Sequence, residues 1–267
     1  MNIRLCIVGD RSRDDEIYKR LRAAGLPISH EKVEQVDFTK NTAEQLAALP
    51  KEDPEKLARI HRRTSKQISD AASRQPHYAY VDREYPDQSG LKAVVSDTEA
   101  RITASFIRTA KAHVNAATSL WNCIGIYNDL PCTTQSSIDS FRKVDKIAGM
   151  DWVCINGYIR KHIDTDIEAL EFANRLTSAI TIGRDLADGR EIMVAWQGLC
   201  RLKDNKTEPL TTRDVFAWWQ TIAANRVGKV LWWFRTGDDG EQTDARIDDA
   251  IKHAPTIIDA IQSVEIK

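Results

Sequence analysis

Apolar periodicity divides the chain into short runs rich in β-branched and aromatic residues, alternating with longer stretches whose apolar positions recur three and four apart. Residues 3–8 predict a strand, and 14–24 place Ile17, Leu21 and Ala24 at helical spacing before Gly25 stops the pattern. A weak alternation over 32–38 predicts a second short strand. Residues 54–73 then read as a long helix with Leu57, Ile60, Thr64, Ile68 and Ala71 on one face. Further strands are expected over 77–82, 121–127, 152–158, 192–199 and 229–234, with helices over 97–118, 137–148, 166–181 and 212–224 between them. The last stretch, 246–264, reads as a helix interrupted by Pro255.

About seven strands, each followed by a helix and with few hairpin signals, imply parallel pairing through crossover helices. An open doubly wound sheet and a closed barrel both satisfy that order. No strand is followed by a glycine-rich phosphate turn: Val8-Gly9-Asp10-Arg11 lacks the G-x-G-x-x-G spacing, and no Walker sequence is present. Large polar and aromatic residues occupy the strand ends instead. The expected fold is α/β, a distorted (β/α) TIM-type barrel of about seven or eight parallel strands, with 1–267 forming a single domain.

Composition narrows the partners. A formal net charge of −1 without long runs of one sign argues against nucleic acid and against an anionic membrane. No apolar run approaches the roughly 20 residues of a membrane span, and the first residues read as a strand, not as a signal peptide. The five cysteines are odd in number and lack metal-ligand spacing. Cys6, Cys123 and Cys154 fall in predicted strands, where a thiol acts as a small buried hydrophobe. A cytoplasmic protein with reduced thiols is therefore expected. The histidines show neither H-x-H nor H-E-x-x-H spacing, so no metal and no cofactor is expected.

A barrel gathers its chemistry at the C-terminal ends of its strands. Here those ends carry Asp82 and Glu84; Tyr127 and Asp129; Asn156, Tyr158 and Arg160; Trp196 and Gln197; and Trp232, Trp233 and Asp238. Acids, amides and aromatic rings on one rim suit a carbohydrate cleft, in which ring faces stack on sugar C–H groups while carboxylates and amides bond hydroxyls. Asp82 and Glu84 are two apart, so a continuing strand aims both at one place, and two close carboxylates tend to split into one acid and one anion. Trp232 and Trp233 must face opposite ways, so only one of them can look into a barrel. Trp152 starts its strand and Trp218 and Trp219 lie in a helix, positions that suit packing.

The same strand ends resemble the hyaluronidase-type glycoside hydrolases. Val81-Asp82-Arg83-Glu84 resembles that family's strand ending in an Asp-x-Glu pair, with Arg83 where the family has tryptophan. Trp121 to Tyr127 followed by Pro131-Cys132 is similar to its W-G-Y-Y-x-x-P-x-C strand, with a longer Tyr-to-Pro spacing, and 153–160 is similar to its strand that supplies a tyrosine and an arginine. Ile192 to Gln197 resembles its aromatic strand, and Val230-Leu231-Trp232-Trp233 followed by Gly237-Asp238-Asp239 its I-I-W-G-S-S-D-D ending. The resemblance implies a glycosidase acting on an N-acetylhexosamine-containing glycan, with Glu84 as proton donor and Asp82 orienting the substrate's acetamido group. Both acids on one strand suit attack by the substrate's own acetamido oxygen better than attack by an enzyme carboxylate across the sugar. Tyr127, Asp129, Tyr158, Arg160, Trp196, Gln197, Trp232, Trp233 and Asp238 would line the substrate site. The other open readings are a non-catalytic carbohydrate-binding or structural barrel, and an unrelated barrel enzyme using Asp10, Asp129 or Asp238 with a metal.

Overall fold

The computed structural model describes residues 3–8, 14–37, 69, 72–73, 75–82, 94–120, 124–126, 133–201, 207–233 and 240–265. In chain order these form β1 (Arg4–Val8), α1 (Asp14–Ala23), β2 (Ile28–Asp37), β3 (Tyr78–Asp82), α2 (Asp97–Val114), β4 (Ala117–Leu120), β5 (Ile124–Gly125), α3 (Gln135–Ala148), β6 (Trp152–Asn156), α4 (Asp166–Ala187), β7 (Glu191–Trp196), β8 (Leu199–Arg201), β9 (Thr207–Pro209), α5 (Thr212–Ala224), β10 (Lys229–Trp233) and α6 (Gly240–Glu265). Eight strands join in the order β4-β3-β2-β1-β10-β7-β6-β5, and every pair is parallel. The sheet curls into a half-barrel with the helices outside it, an α/β TIM-like fold as the sequence alternation predicts. The curl brings the edge strand β4 against the start of β6, where Asp151 N donates to Thr118 O at 2.9 Å and Thr118 N donates to Asp151 Oδ2 at 2.9 Å.

The pleat sorts the strands' side chains into two cores. Leu5, Ile7, Val81, Val153, Ile155, Val194 and Val230 face outward and pack with residues of the surrounding helices, such as Ile17, Ile107, Ile180 and Ile222. Cys6, Val8, Tyr80, Cys154, Met193, Ala195 and Leu231 face inward and form a separate inner cluster. Trp152 closes the N-terminal end of that interior: it is fully buried, meets Tyr78 edge-on at 5.9 Å, and donates from Nε1 to Ala117 O at 3.1 Å. Trp218 and Trp219 lie buried between helix and sheet, as their helical position predicts. Cys6 and Cys154 are buried and form no disulfide, and burial first, with nearby Glu31 second, pushes the Cys6 thiol up to about 12.

Several boundaries differ from the expected ones. The helix expected to run to 118 stops at Val114, because Asn115 turns to a φ of 49° and Ala117 starts a strand instead. Ala117 continued the helical spacing of Val114, so periodicity alone joined the two elements. Pro255 does not interrupt the last helix, which runs unbroken from Gly240 to Glu265. The β8–β9 pair is antiparallel and forms a small hairpin that the alternation did not show. The helix expected over 54–73 lies almost wholly outside the described residues. No helix among the described residues is long and apolar enough to cross a membrane.

At the N-terminal end of the barrel interior, Lys229 Nζ lies 3.0 Å from Glu31 Oε1 and 2.9 Å from Glu191 Oε1, and 4.6 Å above the Tyr78 ring. It also donates to Tyr78 Oη, which donates to Glu191 Oε2 at 2.8 Å. Ser29 Oγ donates to the other oxygen of Glu31 at 2.8 Å. Burial works against charge on Lys229, but its hydrogen bonds to Tyr78, Glu191 and Glu31 outweigh that and raise its pKa. The same pairing holds the Glu31 carboxyl below its ordinary value despite partial burial. One cation thus joins the starts of β2, β3, β7 and β10. Lys229→Met should leave Glu31 and Glu191 facing each other without a counter-ion. Because both carboxylates are partly solvated, the expected loss is about 2–3 kcal/mol, below the 3–5 of a fully buried pair. Urea denaturation of wild type and variant measures it, and a variant within ~0.5 kcal/mol of wild type would contradict the assignment.

Candidate functional site

The C-terminal ends of the strands hold the residues on which the sequence reading converged. β3 runs in register with β2 up to the Asp37–Asp82 pair, so Asp82 is the last residue of its strand, at the barrel mouth. Glu84, Tyr127, Asp129 and Asp238 lie outside the described residues. Trp233 ends β10 with its backbone in register with Val8 of β1.

Tyr158 is buried in the inner cluster, just beyond the end of β6, with Tyr80 of β3 in the same cluster. The Arg160 guanidinium carbon lies 5.4 Å above the Tyr158 ring, a cation–π distance. Asn156 ends β6 and is fully buried; its Oδ1 accepts a hydrogen bond from Tyr158 N at 2.9 Å. A predicted strand end therefore delivers a compact group of amide, phenol and guanidinium.

Trp196 and Trp232 do not belong to this group, which corrects the expectation that they line the substrate site. They share strand parity with Val194 and Val230 and so face the helices; both sit in the outer core with Trp218 and Trp219. Trp196 is the centre of that cluster, with ring centroids 5.2 Å from Trp232, 5.4 Å from Trp219 and 5.6 Å from Trp218. A cavity of about 10 Å³, room for one water, lies beside Trp196, Gln197, Trp232 and His253. The buried Trp196 Nε1 and Gln197 Oε1 have no hydrogen-bond partner among the described residues, so a water there would satisfy polar atoms that the protein leaves over. Gln197 follows the end of β7 and lines the same cavity.

A second constellation on the same rim was not foreseen, because the histidines showed no informative spacing. His162 lies in the loop after β6, with Nδ1 2.7 Å from Asp214 Oδ2 and Nε2 3.1 Å from Glu208 Oε2. Asp214 is fully buried at the start of α5. It completes a capping box with Thr211 and also accepts from Ile163 N at 2.7 Å. Glu208 belongs to β9. One imidazole thus ties the β8–β9 hairpin, the loop carrying Tyr158 and Arg160, and the first turn of α5. Thr211 to Asp214 has the Thr-x-x-Asp spacing of a helix start, and that spacing gives no hint of a third partner. Among the described residues no group of histidine, cysteine and carboxylates could hold a metal ion.

No protein-family model matches the sequence, and no curated protein sequence matches it. Solved structures do. Bee venom hyaluronidase in complex with a hyaluronic acid tetramer superposes with a TM-score of 0.63 at 11% identity, covering 96% of this chain and 98% of that one. A second, monoclinic structure of bee venom hyaluronidase gives 0.59 at 12% identity, covering 96% and 99%. Active domain 2 of the Pyrococcus furiosus chitinase, with chito-oligosaccharides, gives 0.48 at 11% identity over 98% and 96% of the two chains. The likeness to the hyaluronidases is one of fold.

The pairing of His162 has a consequence for pH. Burial works against its charge, but the hydrogen bonds and charges of Asp214 and Glu208 prevail, so its pKa rises above the ordinary 6.5. A group with a raised folded pKa stabilises fully below its unfolded pKa, and that contribution is lost as pH climbs through the folded value. The melting temperature of the wild type should therefore fall as pH rises above 6.5, and His162→Gln should flatten that fall. Melting curves taken across this window check it; equal slopes in wild type and variant would contradict the role given to His162.

Proposed function

We propose that the protein is a glycoside hydrolase acting on an N-acetylhexosamine-containing glycan, with Asp82 and Glu84 as its acid pair. The observation that carries the reading is that β3, ending on Asp82 two residues before Glu84, opens onto the same barrel mouth as the buried Asn156–Tyr158 group of β6. The fold shared with bee venom hyaluronidase, whose structure holds a hyaluronic acid tetramer, supports the substrate class.

In the proposed mechanism Glu84 protonates the leaving glycosidic oxygen, which requires a carboxyl that keeps its proton near neutral pH beside a charged Asp82. Asp82 accepts from the acetamido N–H and stabilises the positive charge that develops as the acetamido oxygen attacks the anomeric carbon. The proton of Glu84 leaves with the alcohol, and water later opens the ring intermediate with Glu84 now acting as base. Tyr158, its ring faced by Arg160, binds the acetamido oxygen. Of the adjacent tryptophans Trp233 is assigned the place beside the acetamido methyl, since Trp232 packs against the helices. Tyr127, Asp129 and Asp238 are assigned to the polar rim, while Gln197 lines the helix-side cavity beside Trp196 and Trp232.

Arg83, lying between the two acids, favours one other reading. If its guanidinium pairs with them, the protein would bind carbohydrate without cleaving it. One experiment separates the two. Wild type and Glu84→Gln are assayed for cleavage and for binding of hyaluronan and N-acetylglucosamine oligosaccharides. Loss of the general acid should lower turnover by about a hundredfold or more with binding retained. Binding without cleavage by wild type supports the non-catalytic reading, and full activity of Glu84→Gln removes Glu84 from the mechanism.

A further inference from the structure

Two side-chain polar atoms on the inner face of the barrel, Ser119 Oγ and Asn156 Nδ2, are buried and have no hydrogen-bond partner among the described residues. Each costs free energy in that state, so an explanation is required of it. The two are at different depths. Ser119 is in register with Tyr80, two residues before the end of β3, and so lies deep in the interior. Asn156 is the last residue of β6, at the mouth.

The backbone around Asn156 is fixed with unusual closeness. Ile126 N donates to Asn156 O at 2.9 Å, Gly157 N to Ala195 O at 3.0 Å, and Trp218 Nε1 to Gly157 O at 2.7 Å. Across from it, Gly125 has a φ of 150°, and a Cβ there would fall 2.3 Å from Asn156 O and 2.5 Å from Asn156 Cβ. Only glycine allows β5 to approach this way. Gly157 is held similarly, since its Cβ would lie 2.8 Å from Val194 Cγ1. The side chain is also oriented: Tyr158 N donates to Oδ1 at 2.9 Å, so the amide's other end, a donor of two N–H bonds, is the one left buried and unpaired among the described residues. Its strand neighbours in register are Gly125 and Ala195, which leave little side-chain bulk on either side.

We propose that Asn156 is a specificity-determining residue whose Nδ2 donates a hydrogen bond to a hydroxyl oxygen of the sugar seated at the barrel mouth. The inference rests on the glycosidase reading and extends it. A donor fixed in place before binding loses little freedom when it meets its acceptor. A hydroxyl is a better partner than the acetamido carbonyl. That carbonyl oxygen is the attacking atom, and a donor added beside Tyr158 would draw off the electron density the attack uses. Asn156 therefore contributes to binding and to the choice of sugar more than to the bond-breaking step. A sugar lacking the hydroxyl would forgo this bond and leave the amide as unpaired as it is in the free protein, so the site favours the sugar that carries it.

The direct test is the side-chain amide signal of Asn156 in ¹⁵N-labelled wild type, titrated with the hyaluronan tetramer and with an N-acetylglucosamine tetramer. The signal should shift with the same saturation as sugar binding. In parallel, Asn156→Asp keeps the acceptor for Tyr158 N–H and removes the donor. It should raise KM or Kd about tenfold to a hundredfold while kcat changes much less. Thermal melting reports whether the variant folds, and the wild-type titration stands even if it does not. Sugar binding that leaves the Asn156 signal unmoved, or a folded Asn156→Asp with wild-type KM, overturns this inference and leaves the glycosidase reading intact. A wild type that binds neither sugar overturns both.

Discussion

The two-residue period of the β-strand governs this molecule. Each parallel strand is buried on both faces and must supply a hydrocarbon row to the helices and a different row to the interior. Val81 and Ala79 serve the helices while Tyr80 between them serves the interior, and Val153 and Ile155 alternate with Cys154 in the same way. The interior is then too narrow for large hydrophobes at every level. Near the mouth Gly125, Asn156 and Ala195 lie side by side on three strands, and a charged cluster takes the other end. Packing and chemistry are thus divided between the two ends of the same strands, the arrangement expected of a barrel whose lower end is structural and upper end functional.

Much of that division is legible in the sequence. The alternation of short β-branched runs with helical stretches leads to a parallel α/β fold, and the structure has one. The role of Trp218 and Trp219 follows from their helical position, and the placement of Trp152 from its position at a strand start. Trp196 and Trp232 show where such reading stops. Their places near strand ends suggested a cleft wall, but which face they take depends on parity relative to Val194 and Val230. Parity could be assigned only once the inner row was known. Asn115 illustrates another limit: a single left-handed residue ends a helix that the apolar spacing would have continued into Ala117.

The His162 constellation was illegible for a different reason. Its members are 46 and 52 residues apart in the chain, and no spacing rule links a loop histidine to a helix cap and a hairpin acid. Asp214 is already explained as the third residue of a capping box, and that explanation hid its second use. The carboxylate serves three donors because it is buried where a loop, a helix start and a hairpin meet. The Asn156 amide was similarly plain in the sequence as one of several strand-end polar residues. What distinguishes it is the pair of glycines that let two backbones close around it.

Lys229 joins residues of four strands, β2 and β3 from the first part of the chain and β7 and β10 from the last. A slip of β10 by one residue would carry the ammonium to the helix side and set Val230 among the carboxylates of Glu31 and Glu191. An odd shift of that strand therefore strands a charge in hydrocarbon and hydrocarbon among charges, and a shift of two draws the ammonium away from both acids. The cluster acts as a key for alignment during folding, a task separate from the free energy it adds to the finished barrel. Hydrophobic rows of valine and isoleucine would tolerate a shift of two residues nearly as well as none. A single cation placed among fixed acids does not.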